Sequence, residues 1–154
     1  MIEEQVLIFR VQEEEYAIPF EDSQETIAKL PITKIPTAID YLEGVTNIHG
    51  QVIPVVRLSA KIGLAGDIPS EQKVIIVKIG LQKIGIMVDE ITGGVCLTAD
   101  CIDPANRGNS CLGSCIKGLG EIGNRPIMLL DIARLFSEEE LSFLRRLEQL
   151  ACFY

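Results

Sequence analysis

The sequence has no tryptophan, one histidine and few aromatic residues, which limits what can fill its core. Aromatic residues make up 5% of the 154 residues, whereas apolar residues make up 47%. Isoleucine, valine and leucine must therefore fill the interior, a composition that favours β-strands. An apolar share of this size also excludes a disordered chain, and the length suits one domain with a sizeable core.

The sequence also lacks the marks of a membrane span, a signal peptide and a nucleic-acid-binding surface. No apolar run approaches the roughly eighteen residues of a membrane-spanning helix. The first residues, MIEEQVLIF, carry acids where a signal peptide carries bases. The chain has 14 Lys and Arg against 22 Asp and Glu, a net charge of −8, which disfavours binding to a phosphate backbone. These features predict a cytoplasmic protein that neither binds nucleic acid nor inserts into a membrane.

The chain carries five cysteines, at Cys96, Cys101, Cys111, Cys115 and Cys152. Neither close pair has the two-residue spacing of common zinc knuckles, and the only histidine lies elsewhere in the sequence. Cysteine outside disulfides is among the residue types most often buried, so we expect reduced thiols without a metal or other cofactor. A thiolate site for zinc or an iron–sulfur cluster is the alternative.

Few patterns in the sequence support a catalytic site. A serine or cysteine nucleophile would need His49, which lies in a predicted hairpin turn far along the chain from Cys111 and Cys115. The glycine-rich stretch GLGEIGN at residues 118–124 lacks the spacing of a dinucleotide-binding loop and leads into a predicted strand. The sequence therefore predicts a binding module and not an enzyme.

Short apolar runs with period-two alternation, separated by turn residues, predict an all-β architecture. Tyr16, Ile18 and Phe20 alternate in one such run. Four prolines would interrupt helices and suit the edges and corners of a small barrel. They are Pro19, Pro31, Pro36 and Pro54.

An internal repeat divides the chain into two related parts. Residues 44–58, GVTNIHGQVIPVVRL, align without a gap on residues 118–132, GLGEIGNRPIMLLDI. Upstream, EYAIPFED at residues 15–22 is similar to KIGIMVDE at residues 83–90. Each part thus carries a strand pair, a connecting region and an apolar hairpin, which predicts a duplicated small β-barrel.

One helix is predicted, at the C-terminus. The sequence Ser137-Glu-Glu-Glu140 is a capping box, and Phe136 and Leu141 are spaced as the hydrophobic staple around it. Apolar residues then form one stripe at Leu141, Phe143, Leu144, Leu147 and Leu150. We expect this stripe to pack on the protein's own barrels, and a dimerisation helix is the alternative.

Four blocks of sequence, in order and at matching spacing, resemble the CheW family of bacterial chemotaxis adaptors over nearly the whole chain. The blocks are EEEYAIPFEDSQETI, GVTNIHGQVIPVVRL, KIGIMVDEITGGVCLTAD and KGLGEIGNRPIMLLDIARLF. The resemblance implies an all-β fold of two pseudo-symmetric five-stranded SH3-like β-barrels with a C-terminal α-helix. A CheW-like domain is expected at residues 1–136, its intertwined barrels roughly at 15–65 and 73–136 with the N-terminal strand packed against them. The amphipathic helix is expected at residues 137–154.

The resemblance also implies a function and its partners. Family members have no catalytic activity and need no cofactor. They couple the cytoplasmic tip of methyl-accepting chemoreceptors to the regulatory domain of a CheA-type histidine kinase. The protein is therefore expected in the cytoplasm, recruited to membrane-attached receptor arrays. A divergent CheW-like scaffold in another two-component pathway, binding only one of these partners, is the alternative.

The family's receptor-binding positions can be carried over to this chain. They fall on Ser23, Glu25, Val45, His49 and Arg57. Ser23 stands where family members have an apolar residue, His49 where they have arginine, and Arg57 where they have aspartate. These departures change the chemistry of the expected receptor surface and leave the fold pattern intact.

A second set of positions corresponds to the family's contact with the kinase. It comprises Ile39, Tyr41, Leu42, Asp103 and Arg107. The last two belong to the segment DPANRGNS, whose sequence differs from that of family members. The resemblance thus predicts two binding surfaces, one for each partner.

Overall fold

The computed structural model of the protein describes residues 3–28, 30–35, 39–64, 73–98 and 115–151. Within these residues the chain forms ten strands, two helices and two 3-10 turns. The strands are β1 Glu3–Val11, β2 Glu14–Pro19, β3 Ser23–Ala28, β4 Leu42–Ile48, β5 Gln51–Arg57, β6 Lys73–Ile79, β7 Gln82–Val88, β8 Glu90–Thr98, β9 Ile116–Ile122 and β10 Arg125–Leu130. The helical segments are the 3-10 turns Phe20–Asp22 and Ile132–Arg134, the one-turn helix α1 Leu58–Lys61 and the helix α2 Glu138–Ala151.

The strands form two five-stranded sheets with matching architecture. In sheet A the order is β8-β1-β2-β10-β9, and in sheet B it is β3-β6-β7-β5-β4. The pairs β2–β10 and β5–β7 are parallel, and the other neighbouring pairs are antiparallel. Sheet A therefore joins the first two strands of the chain to its last three, and sheet B contains the five strands between them. The two halves of the chain exchange strands.

The register of the sheets matches the sequence repeat. In sheet A, Leu129 of β10 lies opposite Ala17 of β2, and in sheet B, Val55 of β5 lies opposite Gly85 of β7. The sequence alignment matches the same residues, Val55 with Leu129 and Ala17 with Gly85. The predicted all-β fold of two related five-stranded units with a C-terminal helix is therefore confirmed.

Three apolar clusters fill the structure. Sheet A has a cluster of its own, formed by Val6, Ile8, Ala17, Ile127 and Leu129. Sheet B has the equivalent cluster, formed by Ile53, Val55, Val74, Ile76 and Met87. A third and larger cluster combines the alternate residues of both sheets with Leu144 and Leu147 of α2. Because side chains alternate between the two faces of a strand, each sheet is packed on both faces.

The position of Phe20 differs from the alternating pattern. Tyr16 and Ile18 are buried as predicted, but Phe20 is 48% exposed in the 3-10 turn that follows β2. The strand ends at Pro19, and the chain crosses there from sheet A to sheet B. Alternation continues only as long as the strand does, so the prediction that places Phe20 on the same strand face as Tyr16 is wrong.

Helix α2 packs on sheet B of its own chain, the first of the two expected arrangements. The predicted capping box is present: the Ser137 N–H donates to Glu140 Oε1 at 2.9 Å, and the Glu140 N–H donates to Ser137 Oγ at 3.1 Å. Leu144 is fully buried, and the Gln82 amide of β7 donates to the Leu141 carbonyl at 3.1 Å. No helix among the described residues has the length and apolar character to span a membrane.

Candidate partner-binding surfaces

The turn between β4 and β5 holds His49 out into solvent. His49 and Gly50 have φ angles of 52° and 80°, positive at both central residues as in the type I′ turns of tight hairpins. The Asn47 side-chain oxygen accepts from the Gly50 N–H at 3.0 Å and stabilises the turn. The His49 side chain is 82% exposed. It is therefore accessible to a partner.

Glu25 approaches the hairpin turn from β3. The distance between His49 Nε2 and Glu25 Oε2 is 3.7 Å, and Glu25 lies at a register shift between β3 and β6. An exposed pair of this kind contributes little to folding stability, about 0–1 kcal/mol. Both side chains keep polar atoms available for contacts outside the chain.

Ser23 and Val45, the other two members of the predicted set near this turn, are engaged within the protein. The Ser23 hydroxyl donates to the Phe20 carbonyl oxygen at 2.8 Å. Val45 is buried in the large apolar cluster, and its backbone exchanges hydrogen bonds of 2.8 and 2.9 Å with Thr33. Val45 therefore supports the hairpin from inside, and its side chain is not on the surface.

An exposed apolar patch, missed by the sequence pattern, lies where the chain crosses between the sheets. Phe20 and Val95 are two of the exposed large apolar residues. The Phe20 ring packs against Gly94, where a Cβ, if the residue had one, would lie 3.5 Å from the ring. They border a shallow cavity of about 360 Å³, which is lined by Gln5, Val6, Phe20, Gly94, Val95 and Cys96. An aromatic residue directly after a proline and directly before the polar segment EDSQE is the sequence signal that could have found it.

Three of the predicted kinase-binding residues, two just before β4 and one at its first position, gather at the opposite end of sheet B. Leu42 is buried in the large cluster, and Ile39 and Tyr41 are half-buried against it. The Tyr41 ring lies 6.2 Å from the Phe136 ring and 5.2 Å from Lys61 Nζ. Burial and a hydrogen bond to the Glu140 carboxylate raise the pKa of Tyr41. The two remaining members of this set, Asp103 and Arg107, lie outside the described residues.

Arg57 lies with this second group and not with the hairpin turn. Its Nη2 donates to the Asp40 carbonyl oxygen at 2.6 Å, and its Nε lies 3.4 Å from Glu43 Oε2. Arg57 ends β5, whereas His49 lies in the turn before β5 begins at Gln51, and the strand between is about 20 Å long at roughly 3.3 Å per residue. Arg57 and His49, placed in one set by the family resemblance, do not form one surface.

The two cysteines among the described residues differ in environment. Cys96 is exposed beside Phe20, whereas Cys115 is buried, and burial raises the pKa of the Cys115 thiol. Within the described part of the chain, no cluster of histidine, cysteine and acidic side chains could hold a metal ion. Cys101, Cys111 and Cys152 lie outside it.

Two sheets that repeat one topology and present separate surfaces at the two ends of one strand define a protein-interaction module. The model of the CheW-like domain matches residues 5–140, and the chain belongs to the CheW family. The chemotaxis protein CheW of Klebsiella aerogenes is 35% identical over 141 residues, covering 90% of this chain and 85% of the relative. The chemotaxis protein CheW of Thermotoga maritima is 30% identical over 134 residues, covering 87% and 88%.

A solved structure has the same fold. It is the scaffolding protein TtCheW from Thermoanaerobacter tengcongensis, with a TM-score of 0.81 and 26% sequence identity. The match covers 88% of this chain and 94% of that chain. The two-sheet architecture is therefore that of a CheW scaffold.

Proposed function

We propose that the protein is a cytoplasmic, non-enzymatic adaptor that couples chemoreceptors to a CheA-type histidine kinase. Membership of the CheW family supports a role in chemotaxis. An adaptor must bind two partners at once, and the two candidate surfaces lie at opposite ends of β5. This separation is the observation that carries the proposal.

The receptor surface is proposed at Phe20, Glu25 and His49. Phe20 and its neighbour Val95 supply exposed apolar area. Glu25 follows Phe20 by five residues along the chain, and His49 lies 3.7 Å from Glu25, so these two supply polar groups. Protein interfaces combine an apolar centre with a polar rim in this way. Phe20 provides the apolar contact that Ser23 lacks, three residues further along the chain.

The second repeat supports a binding role for the Glu25–His49 pair. Glu25 lies opposite Ile76 in sheet B, and at the equivalent place in sheet A Gly93 lies opposite Ile8. His49 aligns with Gly123 in the repeat. Sheet A thus forms the same strand pairings without either side chain, so the fold does not require the pair.

The kinase surface is proposed at Ile39, Tyr41 and Leu42. Ile39 and Tyr41 expose part of their apolar side chains at the end of sheet B, and buried Leu42 supports them from below. This surface shares no residue with the receptor surface.

A binding assay with both partners tests the proposal. An immobilised receptor-tip fragment should retain the regulatory domain of the kinase only when the protein is added. Phe20→Ser should weaken receptor binding alone and Ile39→Ser kinase binding alone, each by about 1–2 kcal/mol, the range of an interface anchor.

Leu81→Ser is the matched control. Leu81 is 93% exposed at the turn between β6 and β7, outside both surfaces, so removing its apolar side chain should leave both affinities unchanged. Failure of the wild-type protein to bridge the two partners would refute the adaptor function.

A further inference from the structure

Arg57 holds the start of β4 and the residues before it through three contacts. Its guanidinium donates to the Asp40 carbonyl oxygen at 2.6 Å and pairs with Glu43 at 3.4 Å. Its backbone N–H donates to the Tyr41 carbonyl oxygen at 2.7 Å. The side chains of Arg57 and Glu43 are only 27% and 17% exposed, so the pair is shielded from most of the solvent. One residue of β5 therefore fixes positions 40, 41 and 43.

The second repeat has a different arrangement at the same place. Asp131 is the counterpart of Arg57, and its backbone N–H donates to the Cys115 carbonyl oxygen at 2.7 Å, as that of Arg57 does to Tyr41. The Asp131 side chain, however, turns to the following 3-10 turn and accepts from the Ala133 N–H at 3.1 Å. Arg57 makes no such cap on α1. The backbone contact thus belongs to the fold, whereas the side-chain contacts of Arg57 are particular to the first repeat.

Tyr41 is held from its other side as well. Lys61 Nζ lies over the rings of Tyr41 and Phe136 and pairs with Glu140 at 3.2 Å. The Tyr41 side chain is hydrogen-bonded to the same carboxylate. The segment that carries Ile39 and Tyr41 is therefore fixed before any partner arrives.

We infer that Arg57 is a positioning residue for the kinase surface and does not contact the receptor. The inference rests on the proposed function. A loop already fixed in its binding conformation loses less conformational entropy on association, which raises affinity without a new contact. Removing the Arg57 side-chain contacts with Asp40 and Glu43 lets residues 39–43 move, while His49 at the far end of β5 keeps its position.

Calorimetric titration of the full-length variants with the kinase regulatory domain tests this. Arg57→Ala should weaken binding about tenfold, the size of coupling found within one contact network, and Arg57→Lys should weaken it less. Glu43→Gln should also weaken it, but the double variant should bind like Arg57→Ala alone because Glu43 acts through Arg57. Fully additive losses would overturn the inference.

The double variant Arg57→Asp, Glu43→Gln tests whether the affinity loss comes from loss of the fold. Asp at position 57 can make the cap that Asp131 makes in the second repeat, and Gln at position 43 avoids repulsion between two carboxylates. Neither side chain can hold the segment before β4 as Arg57 does, so this variant should keep its melting temperature and still lose kinase affinity. Arg125→Ala, which breaks a 2.9 Å ion pair with Glu15 in sheet A, is the control and should bind normally.

Titration of the same variants with a receptor-tip fragment completes the test. All should bind it as the wild type does. Loss of receptor binding with unchanged kinase binding would overturn the inference and make Arg57 a receptor contact. Unaffected kinase binding in every variant would overturn the inference alone, whereas a wild-type protein that binds no kinase domain would overturn the proposed function together with it.

Discussion

His49 occupies a backbone position that few side chains tolerate. It is the first central residue of its turn, with φ 52°, and the equivalent residue in the second repeat is Gly123, with φ 63°. A residue with a Cβ pays about 1–2 kcal/mol in the left-handed region, and histidine is among those that enter it most often. The protein therefore keeps an exposed histidine where glycine would be more stable, which fits a role in binding.

Receptor binding should depend on the side chain at position 49. The exposed imidazole of His49 can form a hydrogen bond with a polar group on the receptor tip, beside Glu25 of its own chain. We expect His49→Ala to weaken binding by about 1 kcal/mol, the usual net contribution of one hydrogen bond, measured by titrating a receptor-tip fragment. His49→Arg, whose guanidinium can bind a carboxylate through two hydrogen bonds, should bind at least as tightly as the wild type. Unchanged binding in His49→Ala would mean that this turn does not touch the receptor.

At the scale of elements, α2 combines a locally encoded start with distant contacts. The capping box and the apolar stripe are short-range patterns, so the helix and its buried face could be predicted from the sequence. Its partners Tyr41 and Lys61 lie about eighty to a hundred residues earlier in the chain. No spacing rule connects residues so far apart. The contacts of Tyr41 and Lys61 with Glu140 of the helix could therefore be found only in the structure.

The contacts that hold α2 through the Glu140 carboxylate should weaken in acid. Burial raises the pKa of the Glu140 carboxyl, but hydrogen bonds from the Ser137 N–H, Tyr41 and Lys61 outweigh it and leave the pKa below its ordinary value. A carboxyl of this kind stabilises the fold at pH values above its unfolded pKa of about 4.3. That stabilisation is lost as the pH falls through the folded pKa.

Urea unfolding at pH 7 and pH 3 measures this effect. Between these values the wild type should lose about 1 kcal/mol more stability than Glu140→Gln, the usual worth of a cap. Glu139→Gln, which changes the exposed neighbouring residue, should behave like the wild type. Equal losses in the wild type and Glu140→Gln would show that this carboxylate does not fasten the helix.

At the scale of the whole molecule, the exchange of strands makes the two sheets depend on each other. Sheet A needs β1 and β2 from the start of the chain, and sheet B needs β6 and β7 from its second half. The large apolar cluster between the sheets adds to this dependence. We expect both sheets to unfold in one transition.

Fragments of the chain test this dependence. Residues 1–64 and 73–154 should each fail to fold alone and should regain β-structure when mixed, measured by circular dichroism and gel filtration. Two independently folded fragments, or two separate unfolding transitions of the intact protein, would contradict it.

The sequence predicts the strands, the repeat and the family, because each rests on local pattern or on ordered blocks of residues. The family resemblance implies intertwined barrels, but the residue pattern does not predict which strands exchange, since alternation identifies which side chains are buried but not which strand lies beside them. Because alternation does not determine how strands are arranged, two expectations about the candidate surfaces differ from the structure. Phe20 becomes exposed where a strand ends, and Arg57 is separated from His49 by the length of β5.

The strand exchange also bears on the evolutionary origin of the fold. Two copies of a chain half this length, swapping their first two strands about a twofold axis, would build the same pair of sheets as a homodimer. Joining the copies end to end removes the dependence of that dimer on concentration. It also frees equivalent positions to differ, as Glu25 and Gly93 do, and as Arg57 and Asp131 do. A symmetric ancestor could offer only two identical faces, whereas the fused chain can bind two different partners at once.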